Sequence, residues 1–404
     1  PGDLIELQQL FENATTFGSL IKVPKRLVNM LQGLKQLSET VSSDLFVADE
    51  LKRMVPLVQQ ADLLAARYDA VVANPPYMGS KLFCSTLKKF VKDNFSDAKS
   101  DLFACFIERG FMLAKDLGYN AMVTMESWMF LSSYEEFRKK LLQSHTLRNL
   151  AHFPYDGKRP TAMGINFGVA VISALNNHLP HYQGHFCCSR YYELDDSGVP
   201  FEFPTPNDRL KTVATDQFRK IPGSPLAYWA SAALTATFDY SAYEASASVR
   251  QGMATTDNER FLRQWFEIPV DEIGFGFNSP AEGNDNGFNW FPYNKGGEYR
   301  KWYGNLDYVV NYERNGEVLI DLVTTKYPKI SDPEFVIKNR SYYCKEAVTW
   351  SDVTSGKTSF RYLPKGFLFD GRGSCIFPLD GDTYGHIEYL NTPIVMRITE
   401  LLNP

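Results

Sequence analysis

At 404 residues, 44% hydrophobic and 22% charged, the chain has the balance of a soluble globular protein long enough for two or three domains with substantial cores. A formal net charge of −5 excludes a globally basic nucleic-acid binder, so any contact with a polyanion has to come from local patches. The longest apolar run, Phe167 to Leu175 broken at Ser173, is far too short to span a bilayer, and nothing at the N-terminus resembles a signal peptide.

The six cysteines are scattered without a C-x-x-C pair, and Cys187 and Cys188 are adjacent and poorly placed to bond each other. A reducing, cytoplasmic setting is expected. Aromatics are dense, with 29 Phe and 22 Tyr, which suggests stacking surfaces as well as packing. The chain opens on Pro1 and ends in Leu-Asn-Pro, and so reads as a piece of something longer.

In chain order, residues 1–66 read as a helical lead-in, with apolar residues three and four apart in "LIELQQLFENA", "KRLVNMLQGLKQLSETV" and "DELKRMVPLVQQADLLAARY". Residues 67–180 then alternate. "YDAVVA" is a strand. "KSDLFACFIERGFMLAKDLG" is a helix with Leu102, Phe103, Phe106 and Ile107 on one face and Gly118 where a C-cap would fall. "YNAMVTM" is a strand, "SSYEEFRKKLL" a helix opened by a Ser cap, and "LRNLAHF" and "INFGVAVISAL" two more strands. Strands alternating with helices of this length predict an α/β fold, a parallel sheet with helices on its faces and a ligand edge at the carboxyl ends of the strands.

From about residue 181 to 404 the pattern changes. Tyr, Phe, Trp, Pro, Gly and Asn become dense, and helical periodicity fades apart from Asn258 to Trp265, so an irregular α+β domain is expected. From Lys338 to Arg372 there are seven Lys or Arg against three Asp or Glu, interleaved with Tyr342, Tyr343, Phe360 and Tyr362. Such a patch suits phosphate and base edges, with Lys338, Arg340, Lys357, Arg361 and Arg372 as candidate contacts. Of these, Arg340, Arg361 and Arg372 can bond guanine bidentately. His178, His181 and His185 come closest to a metal cluster, but no Cys or acid pair completes a ligand set, and no metal is expected.

The stretch with chemistry is Asn74-Pro75-Pro76-Tyr77, directly after the "YDAVVA" strand. Two prolines end ladder pairing, since neither has an N–H and both fix φ near −65°. On its own this could be a turn; at the ligand edge of an α/β sheet it can be a rigid rim. An exocyclic nucleobase amine is a poor nucleophile until its hydrogens are held and its lone pair aimed. The Asn74 side-chain oxygen and the Pro75 carbonyl, preorganised by the proline pair, are acceptors for those two hydrogens. Tyr77 offers a flat face for a base swung out of a duplex.

"YDAVVANPPYMG" resembles motif IV of the amino-methyltransferases that use S-adenosylmethionine, in the adenine-N6 DNA group. The helix, strand and helix from Ser100 to Leu142 resemble those downstream of motif IV in that group, and the segment "LAHFPYDGKRPTAMGINFGVAVISAL" resembles its last hairpin. The whole chain, including "RQGMATTDNERFLRQWFEI", is similar to the central part of the PglX family of BREX phage-defence methyltransferases.

The resemblance implies a Rossmann-like methyltransferase sheet at 67–180 and a target-recognition domain at 181–404. It implies methyl transfer from S-adenosylmethionine to N6 of a flipped adenine in double-stranded DNA. Asn74 and Pro75 would hold the amine and lie near the methyl donor, and Tyr77 would stack on the base. A second aromatic would face Tyr77, with Phe153 the candidate and Tyr155 close behind.

Implied partners, besides DNA, are other BREX defence proteins and phage DNA-mimic inhibitors, with no membrane. The family's glycine-rich cofactor loop has no counterpart before Asn74 and is expected upstream of Pro1. "FDGRGSC" at Phe369 to Cys375 reads as a turn, because no helix comes after it. Two alternatives stay open: transfer to protein glutamine or RNA guanine, and a DNA-recognition and docking module without catalysis of its own.

Overall fold

The computed structural model describes residues 2–38, 45–155, 166–328, 332–352 and 358–402. It divides into two compact units, Pro1–Thr235 and Ala236–Pro404.

The first unit opens with helices Gly2–Phe11, Lys25–Ser38 and Leu45–Ala65. Their spaced apolar residues close a small core of their own, with Leu7, Phe11, Leu27, Leu31, Val58 and Ala61 buried together. A six-stranded sheet comes next, built from β1 (Tyr68–Ala73), β2 (Ala114–Met125), β3 (Thr146–Phe153), β4 (Val169–Leu175), β5 (Gln183–Cys188) and β6 (Lys211–Ala214) in the order β1-β2-β4-β3-β5-β6. β1 runs parallel to β2 and β3 parallel to β5, while β4 is antiparallel to both β2 and β3 and β6 antiparallel to β5. The fold is therefore mixed α/β, and the all-parallel sheet expected from the alternation is corrected. β3 and β4 are successive strands that meet as an antiparallel pair, the hairpin that the resemblance implied and that periodicity alone does not distinguish from a crossover.

This sheet also extends past residue 180, where the composition changes. β5 and β6 belong to it, and the break between compact units comes only after Thr235.

Helix Leu102–Leu113 packs on β1 and β2 and buries Phe103, Ala104, Cys105 and Ile107. Asp101 caps it, its carboxylate accepting from the Phe103 N–H at 3.3 Å. The helix ends at Leu113, and β2 begins at once. Gly118 is a strand residue rather than a C-cap, with its α-carbon so close to the carbonyls of Tyr68 and Asp69 that a Cβ would lie 3.0 and 3.1 Å from them. Helix Glu135–Ser144 comes after a 3₁₀ turn at Ser132–Tyr134 and has no serine side-chain cap.

In the second unit, β7 (Ala247–Arg250), β11 (Ala347–Thr349), β12 (Arg361–Leu363) and β14 (Cys375–Pro378) form one four-stranded sheet. β8 (Leu262–Gln264), β9 (Trp290–Asn294), β10 (Tyr308–Asn311) and β13 (Leu368–Phe369) form another. The aromatics of this unit divide between core and surface, with Phe291, Tyr293, Tyr312, Tyr343 and Phe369 buried together and Trp265, Phe266, Tyr299 and Tyr303 among those exposed. Of Asn258 to Trp265, only Asn258–Phe261 is α-helical. Among the described residues no helix is long and apolar enough to cross a membrane.

Candidate functional site

β1, β2, β3 and β5 share one direction, so their carboxyl ends lie along one edge of the sheet with the start of β4 between them. That edge collects Asn74 to Tyr77, Glu126, Phe153, Phe167 and Gly168.

Asn74 is exposed, Pro75 buried, Pro76 exposed and Tyr77 half-buried. The Tyr77 hydroxyl donates to Asn74 Oδ1 at 3.0 Å. The chain beyond is clamped to the start of helix Leu102–Leu113. The Met78 N–H donates to Asp101 Oδ1 at 3.0 Å, the Leu102 N–H to the Met78 carbonyl at 3.1 Å, and the Ser80 N–H to the Ser100 carbonyl at 2.9 Å. The four-residue rim is thus fixed on one side by its prolines and on the other by Asp101. Burial pushes the Asp101 carboxyl above its usual range, against three backbone N–H groups that pull it down, and burial also raises the Tyr77 phenol.

Tyr77 meets two rings edge-on, Phe103 at 6.3 Å and Phe167 at 5.4 Å between centroids. The ring in contact with it from beyond β3 is thus Phe167. Phe153 sits half-buried at the end of β3, paired with Val169, and Tyr155 is half-buried just after it.

A second arrangement on this edge has no signature in the sequence. Buried His152 carries Glu126 Oε2 on Nε2 at 2.5 Å and the Tyr228 hydroxyl on Nδ1 at 2.9 Å. The tautomer with Nε2–H donating to the Glu126 carboxyl group takes the Tyr228 O–H on Nδ1. The Glu126 N–H also donates to the Gly168 carbonyl at 2.9 Å, and a Cβ on Gly168 would land on the Glu126 carboxylate. Glu126, His152 and Tyr228 come from three separate parts of the chain, so no spacing announces them.

The candidate DNA contacts do not form one surface. Arg361 is fully buried in β12, with Tyr343 and Phe360 also in the core, which corrects its assignment as a base reader. It falls in a three-residue strand whose alternation puts Arg361 and Leu363 inward. Arg340 is half-buried and committed within the unit, donating to the Tyr312 hydroxyl at 3.1 Å and the Asn315 carbonyl at 2.9 Å. Lys338 donates to Gln251 Oε1 at 2.7 Å. Arg372 is exposed on the β13–β14 turn, and Lys357 lies outside the described residues. In that turn, Gly373 packs so closely on Asn294 that a Cβ would lie 2.7 Å from its carbonyl oxygen, and a strand rather than a helix comes next.

His178 and His181 both approach Asp216, at 3.5 and 3.9 Å, whereas His185 bonds Thr212. Among the described residues no three His, Cys, Asp or Glu side chains converge as a metal site would require.

Residues 18–158 match the family model described as Eco57I restriction-modification methylase. The adenine-specific methyltransferase BrxX of Escherichia coli O9:H4 (strain HS) is 38% identical over 416 residues, covering 99% of this chain and 32% of that protein. This chain is similar to the BrxX and PglX methyltransferases. The adenine-specific methyltransferase PglX of Lacticaseibacillus casei (strain Zhang) is 37% identical over 359 residues, covering 86% of this chain and 29% of that protein. The chain spans about a third of the length of these curated relatives, and the similarity to PglX seen in its motifs extends along nearly all of it.

Among solved structures, the Type IIL restriction-modification enzyme MmeI in complex with DNA matches 78% of this chain and 41% of that chain at 11% identity, with a TM-score of 0.45. A nuclease-deletion mutant of the Type ISP restriction-modification enzyme LlaGI matches 85% of this chain and 38% of that chain at 11% identity, with a TM-score of 0.42.

Proposed function

We propose that this chain is the acceptor-side catalytic portion and a recognition portion of an adenine-N6 DNA methyltransferase, with a Rossmann-like sheet in its first unit. It would mark self DNA in a phage-defence setting, alongside other defence proteins. The observation that carries the reading is the rim itself: Asn74-Pro75-Pro76-Tyr77 at the carboxyl end of β1, with Tyr77 bonded to Asn74 and the next stretch of backbone clamped on Asp101.

On this reading the Asn74 Oδ1 and Pro75 carbonyl accept the two N6 hydrogens of a flipped adenine. Their fixed positions turn the nitrogen lone pair out of the ring system, which is the state needed for attack. Oδ1 has two lone pairs, so the Tyr77 hydroxyl can keep one and hold the carboxamide in orientation while the amine takes the other. The Tyr77 ring stacks on the base, with Phe153 or Phe167 closing the pocket.

S-adenosylmethionine, when bound, supplies an electrophilic methyl group. The rim fits the methyl end of such a donor, with Asn74 and Pro75 beside it. The Gly371–Gly373 turn offers no cradle for the remainder of the donor, since it is closed by Asn294. Transfer of labelled methyl groups by the longest natural polypeptide containing these residues, to duplexes with and without adenine, tests the reading. Labelling of RNA or of peptide glutamine instead of adenine would replace it.

A further inference from the structure

We propose that the segment Tyr299–Tyr303, between β9 and β10, is a DNA contact of the second unit, with Arg300 and Lys301 on phosphates and Trp302 against a base or sugar face. The inference rests on the reading of the chain as acting on DNA, and it moves the contact away from the Lys338–Arg372 stretch.

The five residues Tyr299, Arg300, Lys301, Trp302 and Tyr303 are all exposed, the three rings at 55%, 48% and 60% for Tyr299, Trp302 and Tyr303. Such a cluster is not a frayed loop. Trp302 has φ of 76°, a left-handed conformation that persists in a residue with a bulky side chain only where its surroundings enforce it. The enforcement is visible. The Trp302 N–H donates to the Phe360 carbonyl at 3.1 Å, and the Tyr362 N–H to the Trp302 carbonyl at 2.8 Å, which locks Trp302 beside β12. The Ser359 hydroxyl donates to the Arg300 carbonyl at 2.9 Å, and the Asn305 side chain to the Glu298 carbonyl at 2.8 Å. The backbone is thus tied down while the side chains face water, a preorganised platform that loses little entropy on binding.

Its charge suits a polyanion. Residues 295–305 carry Lys295, Arg300 and Lys301 against Glu298 alone. Beneath them Arg361 is fully buried, bonded through Nη2 to Ser351 Oγ at 3.2 Å, the same oxygen that accepts from the Gly297 N–H at 3.0 Å. Arg361 Nε and Nη1 have no partner among the described residues. Burial and the Arg300 charge both lower its pKa. A buried guanidinium bonded to no carboxylate among the described residues places positive charge under the platform. Cations alternating with exposed rings match a strand that alternates phosphates with planar faces.

The test is DNA binding by the longest natural polypeptide containing these residues, measured by fluorescence anisotropy on a labelled duplex over a range of salt concentrations. The double variant R300A/K301A is expected to lower the slope of log K against log salt by about two. Trp302→Ala is expected to weaken binding roughly tenfold at unchanged slope, and Trp302→Phe to restore most of the loss. Wild-type affinity and slope in both R300A/K301A and Trp302→Ala would overturn the proposal, as would tighter binding of the wild-type platform to an acidic protein than to DNA. Methyl transfer is assayed in parallel. Transfer to adenine with these variants binding normally removes only this inference, whereas salt-sensitive binding lost in the variants, without any transfer by the wild type, removes only the enzymatic reading.

Discussion

The hydroxyl of Tyr77 donates to Oδ1 of Asn74 at 3.0 Å, joining the first and last residues of the Asn-Pro-Pro-Tyr rim. A carboxamide on an exposed residue would otherwise rotate freely. This bond fixes which way its oxygen points, and the two prolines between the partners keep the span from changing.

The bond and the ring can be separated. Tyr77→Phe keeps a stacking face and loses the hydroxyl, so methyl transfer should fall about fivefold, the scale of one net hydrogen bond. Tyr77→Ala should cost more, roughly tenfold or beyond, because the stacking partner goes as well. Single-turnover rates of the two variants decide it; equal losses would assign the whole effect to the hydroxyl.

A side chain at Gly168 should displace the Glu126 carboxylate. Gly168→Ala drives a methyl group into the Glu126 carboxylate, which is held by His152, and Phe167 next to it touches Tyr77. Transfer should drop at least roughly tenfold while DNA affinity stays within about twofold, on the scale of a small misplacement at a reacting centre. Unchanged transfer would separate this network from the rim.

Asp101 makes a prediction in pH. Its carboxyl is raised by burial, so its folded-state pKa lies above the unfolded one. The stabilisation linked to its proton is complete below the unfolded pKa and is lost as pH rises through the folded value. At neutral pH the fold therefore carries a buried charge at a cost. Asp101→Asn retains an acceptor oxygen for the Met78 and Phe103 N–H groups and should be more stable than wild type at neutral pH, with the advantage vanishing in acid. Asp101→Ala should lose about 1 kcal/mol of cap at either pH. Denaturant melts across the range measure both.

His145 acts in the opposite sense. Its ring is stacked on Phe111 with centroids 3.6 Å apart, and burial lowers its pKa from 6.5 to about 4. A depressed histidine contributes stability that is present above the unfolded pKa and is lost as pH falls between 6.5 and about 4, where the unfolded chain takes a proton that the folded chain refuses. His145→Phe keeps the stack and has no proton to take. On acidification from neutral pH to about pH 5, its melting temperature should fall less than that of wild type, and parallel falls would acquit His145.

Much of the first unit is legible in the sequence because its signals are local. The apolar strand before Asn74, the helix face at Leu102 to Ile107 and the strand at Thr146 to Phe153 each carry their own period. The hidden part depends on contacts distant in sequence. Gly118 resembles a helix stop, yet the close approach of Tyr68 and Asp69 makes it a strand residue. Arg361 resembles a surface charge, but its place in the second unit is set by pairing with Thr349, and this puts it inward. Phe167 meets Tyr77, and His152 meets Glu126 and Tyr228, only after the sheet has assembled. The exposed rings at Tyr299 to Tyr303 form one aromatic run among several, distinguished only by the bonds that leave them outside.

Whether the Asn74 carboxamide holds an adenine amine for methylation is decided most directly by modification-sensitive sequencing of DNA. The cells would carry the longest natural polypeptide with these residues, either wild type or Asn74→Ala, at matched expression and with folding verified. N6-methyladenine at one recurring sequence is expected with the wild type, and its loss with Asn74→Ala. The same mark at the same sites with both proteins would rule out this role for Asn74.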